Sequence, residues 1–160
     1  MISPLELAAN TVMTASIILA GRNSVHTWWS GVIACLLFGL LFYDARLYAD
    51  VALQGFFVVN SLLGWWQWLW GNRGEELPVS RSGPRAIRLA VFIGLAVTVA
   101  YGAVLHIYTD AYATFVDSAV LAFSVIAQML LMRRRLETWA FWLLVNSLAV
   151  PLYASRELYL

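Results

Sequence analysis

Apolar residues gather in six long runs, and nearly all the charged ones fall between them. The runs cover about residues 5–20, 28–43, 47–70, 89–108, 111–132 and 138–153. A helix that crosses a bilayer needs roughly 17–25 such residues, and neighbours such as Ser24, Thr27 and Ser155 extend the shorter runs. No run alternates polar and apolar residues as a barrel strand does. In hydrocarbon, backbone groups must be satisfied within the segment, so the pattern predicts helices. The breaks are the stretch Gly21-Arg22-Asn23-Ser24, the stretch Asp44-Ala45-Arg46, an exposed loop over residues 71–85 and the run Arg133-Arg134-Arg135.

Composition agrees with this pattern. Of 160 residues, 62% are hydrophobic and 12% charged, where a soluble domain has about 25% charged residues. So short a water-soluble chain has too much surface to hide so many apolar side chains. The prediction is an all-α integral membrane protein of about six transmembrane helices, with the bilayer as its solvent. The N-terminal segment lacks a basic n-region, so the first run is expected to be a retained helix rather than a signal peptide.

All ten basic residues are Arg. With six helices, one side of the membrane collects Arg22, Arg73, Arg81, Arg85, Arg88, Arg133, Arg134 and Arg135, and the other holds only Arg46 and Arg156. Short cytoplasmic loops carry such an excess, so the N-terminus is expected outside.

The chain also repeats itself. At an offset of 111 residues Arg22 meets Arg133, Thr27 meets Thr138, Trp28 meets Trp139, Leu47 meets Leu158 and Tyr48 meets Tyr159. Segments one and two thus match segments five and six, with the fourth standing between the copies. A lone linker helix lets two three-helix units share one orientation, a parallel repeat that leaves a site near the midplane between them. The organisation expected is a first bundle over 1–70, a loop and linker helix over 71–110 and an incomplete second bundle over 111–160. In the second copy nothing matches residues 50–70, so either a truncated chain or a bundle closed by another route is expected.

Candidate chemistry lies on the third and sixth segments. Trp65 and Trp68 share a helix face, as do Trp66 and Trp70. Trp139, Trp142 and Asn146 follow at i, i+3 and i+7, a single stripe. At 1.5 Å per residue, Asn146 lies about 12 Å in from Thr138 and Asn60 about 15 Å in from Trp70, near mid-depth of a core about 30 Å thick. Such amides with Trp pairs a turn or two away suit a flat aromatic ring with hydrogen-bonding edges, since Trp faces stack on rings and attract cations. Other readings stand beside this one. Trp28, Trp29, Trp66 and Trp70 read as interfacial anchors, although all eight Trp cluster toward one end of their helices whereas aromatic belts occupy both interfaces. Asn60, Asn146 and Gln128 serve equally as interhelical glue. Asp50 and Gln54 are polar within the third span, and Asp117 is a substrate contact, a proton site or an Arg partner. His26 and His106 sit at loop edges, and the single Cys35 reads as a small buried hydrophobe. No Ser-His-Asp set, metal cluster, phosphate loop or basic patch for nucleic acid appears, so an enzyme reading has no residues to stand on and no cofactor is implied.

Over nearly its whole length the chain resembles the PnuC family of bacterial vitamin transporters. The resemblance rests on Leu47-Tyr48-Ala49-Asp50 followed by Gly64-Trp65-Trp66-Gln67-Trp68, and on the later Trp139, Trp142 and Asn146. It implies a SWEET-like 3+1+3 fold with six helices present and a seventh missing, since family members continue past Leu158 and Tyr159 into another span. It also implies homotrimers in the bacterial inner membrane and facilitated diffusion of nicotinamide riboside for NAD biosynthesis. Carried over by position, Trp65 and Trp68 form one aromatic pair, Trp139, Trp142 and Asn146 form the stripe, and Gln54 joins them as a substrate contact; the depth of Asn60 adds it to the expected contacts, and Asp117 is a further candidate. Another vitamin such as thiamine, or a truncated or non-transporting membrane subunit, are the alternative readings.

Overall fold

The computed structural model describes residues 3–44, 48–108 and 114–155, with the side chains of 48–50, 52 and 153–155 excepted. Asp50, Leu47 and the segment 156–160, where the repeat places further pairs, lie outside the residues or side chains described. Among the described residues the chain forms six helices: α1 (Pro4–Gly21), α2 (His26–Asp44), α3 (Tyr48–Trp70), α4 (Pro84–Tyr108), α5 (Thr114–Met132) and α6 (Thr138–Ser155). Four of them, α1, α2, α4 and α5, are each long and apolar enough to cross a membrane, and α6 is a shorter apolar helix over Thr138–Leu152. Large apolar side chains face outward, among them Phe92 at 69%, Ile107 at 71% and Leu143 at 71% exposure. The buried positions, by contrast, hold many small and hydroxyl residues such as Ala9, Ser16, Ala34, Ser118 and Ala127. This is the distribution of a protein whose surface is solvated by lipid, where close helix approach rather than burial of bulk drives packing.

Local signals explain the helix ends. Ser3 caps α1: its Oγ accepts from the Glu6 N–H at 3.1 Å, while its own N–H donates to Glu6 Oε2 at 3.3 Å. Pro4 follows at the first helical position, where its missing N–H costs nothing. Helix α4 begins at Pro84 for the same reason, five residues before its apolar run. Arg85 and Arg88, read as loop residues from their charge, therefore stand in its first turns; long Arg stems let a helix start in the headgroup region while the charge stays wet.

The chain divides into two compact units, Met1–Leu77 and Pro78–Leu160. In the first, α2 packs against both α1 and α3; in the second, α5 packs against both α4 and α6.

The 111-residue repeat is visible in the backbone. α1 ends in a turn in which the Asn23 N–H donates to Ala20 O and the Ser24 N–H to Leu19 O, both at 2.9 Å, with Asn23 at φ 54°. α5 ends in the same turn, with the Arg134 N–H donating to Leu131 O and the Arg135 N–H to Leu130 O at 2.9 Å, and Arg134 also at φ 54°. This is a Schellman closure, which needs a left-handed residue just past the helix. Beyond the turn Thr27 Oγ1 donates to Ser16 O at 2.8 Å, and Thr138 Oγ1 donates to Ala127 O at 2.8 Å. Each threonine thus fastens the start of one helix to the end of its predecessor, eleven residues back. In the first unit Ser16 Oγ returns the bond to Thr27 O at 2.8 Å.

Within the first unit, α2 and α3 approach through small residues. Gly31 lies between Ser16 of α1 and Ser61 of α3, and a Cβ built there would sit 3.4 and 3.6 Å from their hydroxyls. Gly64 accommodates the Trp28 ring, and Gly39 faces Gln54. In the second unit Gly94, Thr98 and Gly102 form a buried stripe along α4. Gly94 receives Phe123 and Gly102 receives Phe115. The spacing i, i+4, i+8 places all three on one face, the small-residue packing common in membrane helices. The core beyond it joins Val120, Phe123 and Ala127 of α5 to Phe141, Val145 and Ala149 of α6.

The segment after Pro78 is tied to the turn between α5 and α6. Ser80 donates its N–H to Arg134 O and accepts from the Leu136 N–H, both at 3.1 Å. Arg135 Nη1 donates to Arg81 O at 2.7 Å. The Ser82 N–H donates to Glu137 Oε2 at 3.0 Å. Partial burial pushes the Glu137 carboxyl upward, but the Ser82 N–H, its own backbone N–H, the Ser82 side chain and the charge of Arg81 outweigh that and hold it below the usual carboxylate range.

Candidate functional site

On α3 the candidate residues divide by face. Ser61, Gly64 and Trp68 look onto α2, and Trp68 is 1% exposed. At 3.6 residues per turn Gln54 falls on the same face and Trp65 at its edge, while Asn60 lies about a quarter-turn round. The structure therefore brings Gln54, Trp65 and Trp68 to one side of the helix and does not add Asn60 to them.

Trp68 meets Trp28 edge to face, with ring centroids 5.3 Å apart and planes at 86°. Such a pair contributes about 0.5–1.5 kcal/mol beyond area burial. Trp28, read from sequence as an interfacial anchor, is 2% exposed and belongs to this core. The misreading came from its place near a helix end; the signal missed was Gly64, the small residue that makes room for its ring. The anchor reading suits the other three, since Trp29, Trp66 and Trp70 are exposed. The Trp29 indole N–H donates to His26 Nδ1 at 2.8 Å.

Two buried polar atoms of this unit, Trp28 Nε1 and Gln54 Oε1, pair with no hydrogen-bonding group among the described residues. A buried unpaired acceptor costs about 1–3 kcal/mol, so Gln54 is the residue of α3 that most needs a donor from elsewhere. Cys35, on the same unit, is buried as a small apolar residue.

On α6 the buried face carries Thr138, Phe141, Val145, Ala149 and Leu152. Trp139, Trp142 and Asn146 run beside it, about a quarter-turn round the helix. Trp139 and Trp142 are half-buried, and Trp142 packs against the core cluster. Asn146 is exposed, and its Nδ2 donates to Trp142 O at 2.8 Å. That bond orients the amide along the helix and leaves the side-chain carbonyl as an acceptor. The expected stripe therefore exists as a surface of two indoles and an oriented amide. Asp117 stands half-buried in the first turn of α5, where a carboxylate also complements the helix dipole. Gln128 is likewise half-buried on α5.

Asp50 is the single charged residue in the sequence of α3, and α6 has none. Neither α3 nor α6 contains an Arg or Lys. A cation is thus unopposed at these aromatic surfaces, whereas a phosphate would find no guanidinium on either helix.

The comparisons with known proteins agree with this architecture. The sequence pattern of the family described as nicotinamide mononucleotide transporter matches residues 3–160. The nicotinamide riboside transporter PnuC of Escherichia coli (strain K12) is 27% identical over 169 residues, covering 88% of this chain and 70% of that protein. The nicotinamide riboside transporter PnuC of Neisseria mucosa is 26% identical over 145 residues, covering 86% and 55%. The crystal structure of the vitamin B3 transporter PnuC superposes with a TM-score of 0.71 at 25% identity, over 94% of this chain and 66% of that one. The chain therefore spans about two thirds of the length of the solved relative and between half and three quarters of the others. With the fold, the two aromatic surfaces and a match over nearly every residue in agreement, the chain belongs to the nicotinamide mononucleotide transporter family.

Proposed function

We propose that this protein carries nicotinamide riboside across the bacterial inner membrane by facilitated diffusion, supplying NAD biosynthesis. The observation that carries this reading is the family match over residues 3–160, and the site chemistry supports the riboside over its phosphorylated form. The riboside holds a cationic pyridinium ring, which suits the indole faces of Trp139 and Trp142. A mononucleotide adds a phosphate, which calls for Arg or Lys at bonding distance, and α3 and α6 have neither. Asn146, Gln54 and Trp65 are assigned as further substrate contacts, with Asn60 and Asp117 at the margin of the site; Trp68, expected from sequence to touch the substrate, is 1% exposed and instead backs the site through Trp28. The homotrimer and the 3+1+3 arrangement implied by the family resemblance belong to the same proposal.

Purified protein in sealed vesicles is expected to admit labelled riboside until inside and outside concentrations are equal, with no ion gradient or ATP. Excess unlabelled riboside is expected to compete, and nicotinamide mononucleotide and thiamine to compete poorly. Uptake no faster than in protein-free vesicles, or equal uptake of the mononucleotide, defeats the proposal.

The proposed orientation puts the N-terminus outside, supported by the arginine asymmetry. In a Cys35→Ala background, Asp44→Cys is expected to react with an impermeant thiol reagent applied to intact cells, and Arg133→Cys only after the cells are opened. Both positions are exposed, whereas Arg134 is 8% exposed and unsuitable for labelling. The opposite labelling pattern inverts the topology.

A further inference from the structure

The arginine-rich end of the second unit holds a cavity that the transport reading does not use. Its volume is about 210 Å³, and it is lined by Ser82, Gly83, Ala86, Ile87, Ala90, Leu130, Arg133 and Arg135. The lining has two parts. One part is two guanidinium-bearing residues, Arg133 and Arg135, with Ser82 beside the start of α4. The other part is Gly83, Ala86, Ile87 and Ala90, which follow at the spacing of one helix face over about 10 Å and reach the first residues of the apolar run. Leu130 closes the groove from α5.

No carboxylate lines the cavity. Glu137, the acid in the neighbouring hydrogen-bond network, accepts from the Ser82 N–H at 3.0 Å and is not among the lining residues. Arg135 gives one N–H to Arg81 O, and a guanidinium has five. The position is built as well as charged, because the bonds of Ser80 to Arg134 and Leu136 and of Arg135 to Arg81 fix the turn that presents both guanidinium groups.

From this geometry we infer that the cavity binds an anionic phospholipid, with the headgroup phosphate on Arg133 and Arg135 and an acyl chain along Ala86, Ile87 and Ala90. A soluble phosphate fits the two arginines but not the apolar groove. The groove lies at the start of α4, whose apolar side chains beyond it are largely exposed, so an acyl chain leaving the groove toward the bilayer core meets an apolar helix surface. Basic pockets between helices at a membrane surface bind acidic headgroups in this way. Small side chains at Ala86 and Ala90 keep the groove open.

The test is retention of fluorescent phosphatidylglycerol by the purified protein in phosphatidylcholine nanodiscs. Arg133→Gln with Arg135→Gln is expected to lower retention at least tenfold, which is about 1.4 kcal/mol. Arg22→Gln, which removes a charge at the corresponding turn of the first unit, is expected to change it little. Ala90→Leu, which keeps both arginines and narrows the groove, is expected to lower it as well. Inorganic phosphate is expected to displace the lipid only weakly. Thermal unfolding in detergent confirms that each variant is folded, and the two charge variants can be compared at equal folded protein. Retention unchanged in the double variant overturns the inference. An equal fall in Arg22→Gln reduces the effect to general surface charge and overturns it too. Displacement by inorganic phosphate alone, with no effect of Ala90→Leu, makes the site one for free phosphate rather than lipid.

Discussion

Asn146→Leu is expected to weaken binding of nicotinamide riboside more than tenfold, which is about 1.4 kcal/mol. Leu keeps the branching of Asn at Cγ, and Asn146 is exposed, so the bulkier side chain fits while the amide is removed. In the parent the Nδ2 bond to Trp142 O holds the side chain in place, and under the proposed assignment its carbonyl is the acceptor for a donor on the ligand's carboxamide or ribose. Without that acceptor the ligand's donor is desolvated and unpaired, which is why sites built around a hydrogen bond discriminate strongly. Trp142→Ala is expected to lose at least as much affinity, because it removes a stacking face. Trp142 also packs against the core of its unit, so affinity must be measured per folded molecule, by calorimetry on protein that elutes as a single species. Trp142→Phe keeps an aromatic face and is expected to fall between the two. Trp70→Ala, at an exposed position on α3, is expected to reduce yield in the membrane but not affinity. If Asn146→Leu binds as the parent does while Trp70→Ala does not, the division into contact and interfacial residues is wrong.

The second large effect concerns a glycine. A Cβ built on Gly64 falls within 3.0 Å of three atoms of the Trp28 ring. That ring is 2% exposed and is held edge to face by Trp68, so it cannot swing clear without opening the interface of α2 and α3. Gly64→Ala is therefore expected to destabilise the protein by about 1–3 kcal/mol, the usual penalty for overpacking. Gly55 lies on the same helix with nothing within 4 Å of a built Cβ. Gly55→Ala is expected to be neutral or to stabilise by up to about 1 kcal/mol, because Ala is the better helix former. Unfolding in mixed detergent micelles measures both. Trp28→Leu combined with Gly64→Ala is expected to cost less than the sum of the two single changes, since the smaller side chain relieves the clash. Equal effects of the two alanines, or strict additivity in the double variant, reject this account of the interface.

Much of this fold is legible in the residues because a membrane helix announces itself by length and polarity. The exception at the start of α4 is instructive. Arg85 and Arg88 look like loop residues when charge is the criterion, yet Pro84 fixes where the helix begins, and a charged side chain tolerates a helical backbone as long as its tip reaches water. The repeat too was legible, through Thr27 with Thr138 and Trp28 with Trp139, although most intervening residues differ. Arg134 stands where Asn23 does, with the same left-handed backbone, because hydrogen bonds of the main chain and not residue identity define that turn. The candidate site was legible as a list of residue types but not as a set of orientations. Residue spacing put Trp65 with Trp68 and aligned Trp139, Trp142 and Asn146. It did not reveal that Trp68 turns toward Trp28 inside its unit, nor that Asn146 bonds back to its own helix, since both depend on rotamers that the alphabet of the chain does not encode.

The threonine bonds at the two repeated turns bear on how the chain is made. Thr27 and Thr138 each reach a carbonyl only eleven residues earlier. All partners in such a closure leave the ribosome within moments of one another, and the loop entropy to be overcome is small. Each helical hairpin can therefore fix its own alignment as it passes into the bilayer, before any later segment has been synthesised. The first hairpin carries two reciprocal hydroxyl bonds and the last carries one. Of the two repeated pairs, the one that emerges earlier also has the more complete internal fastening.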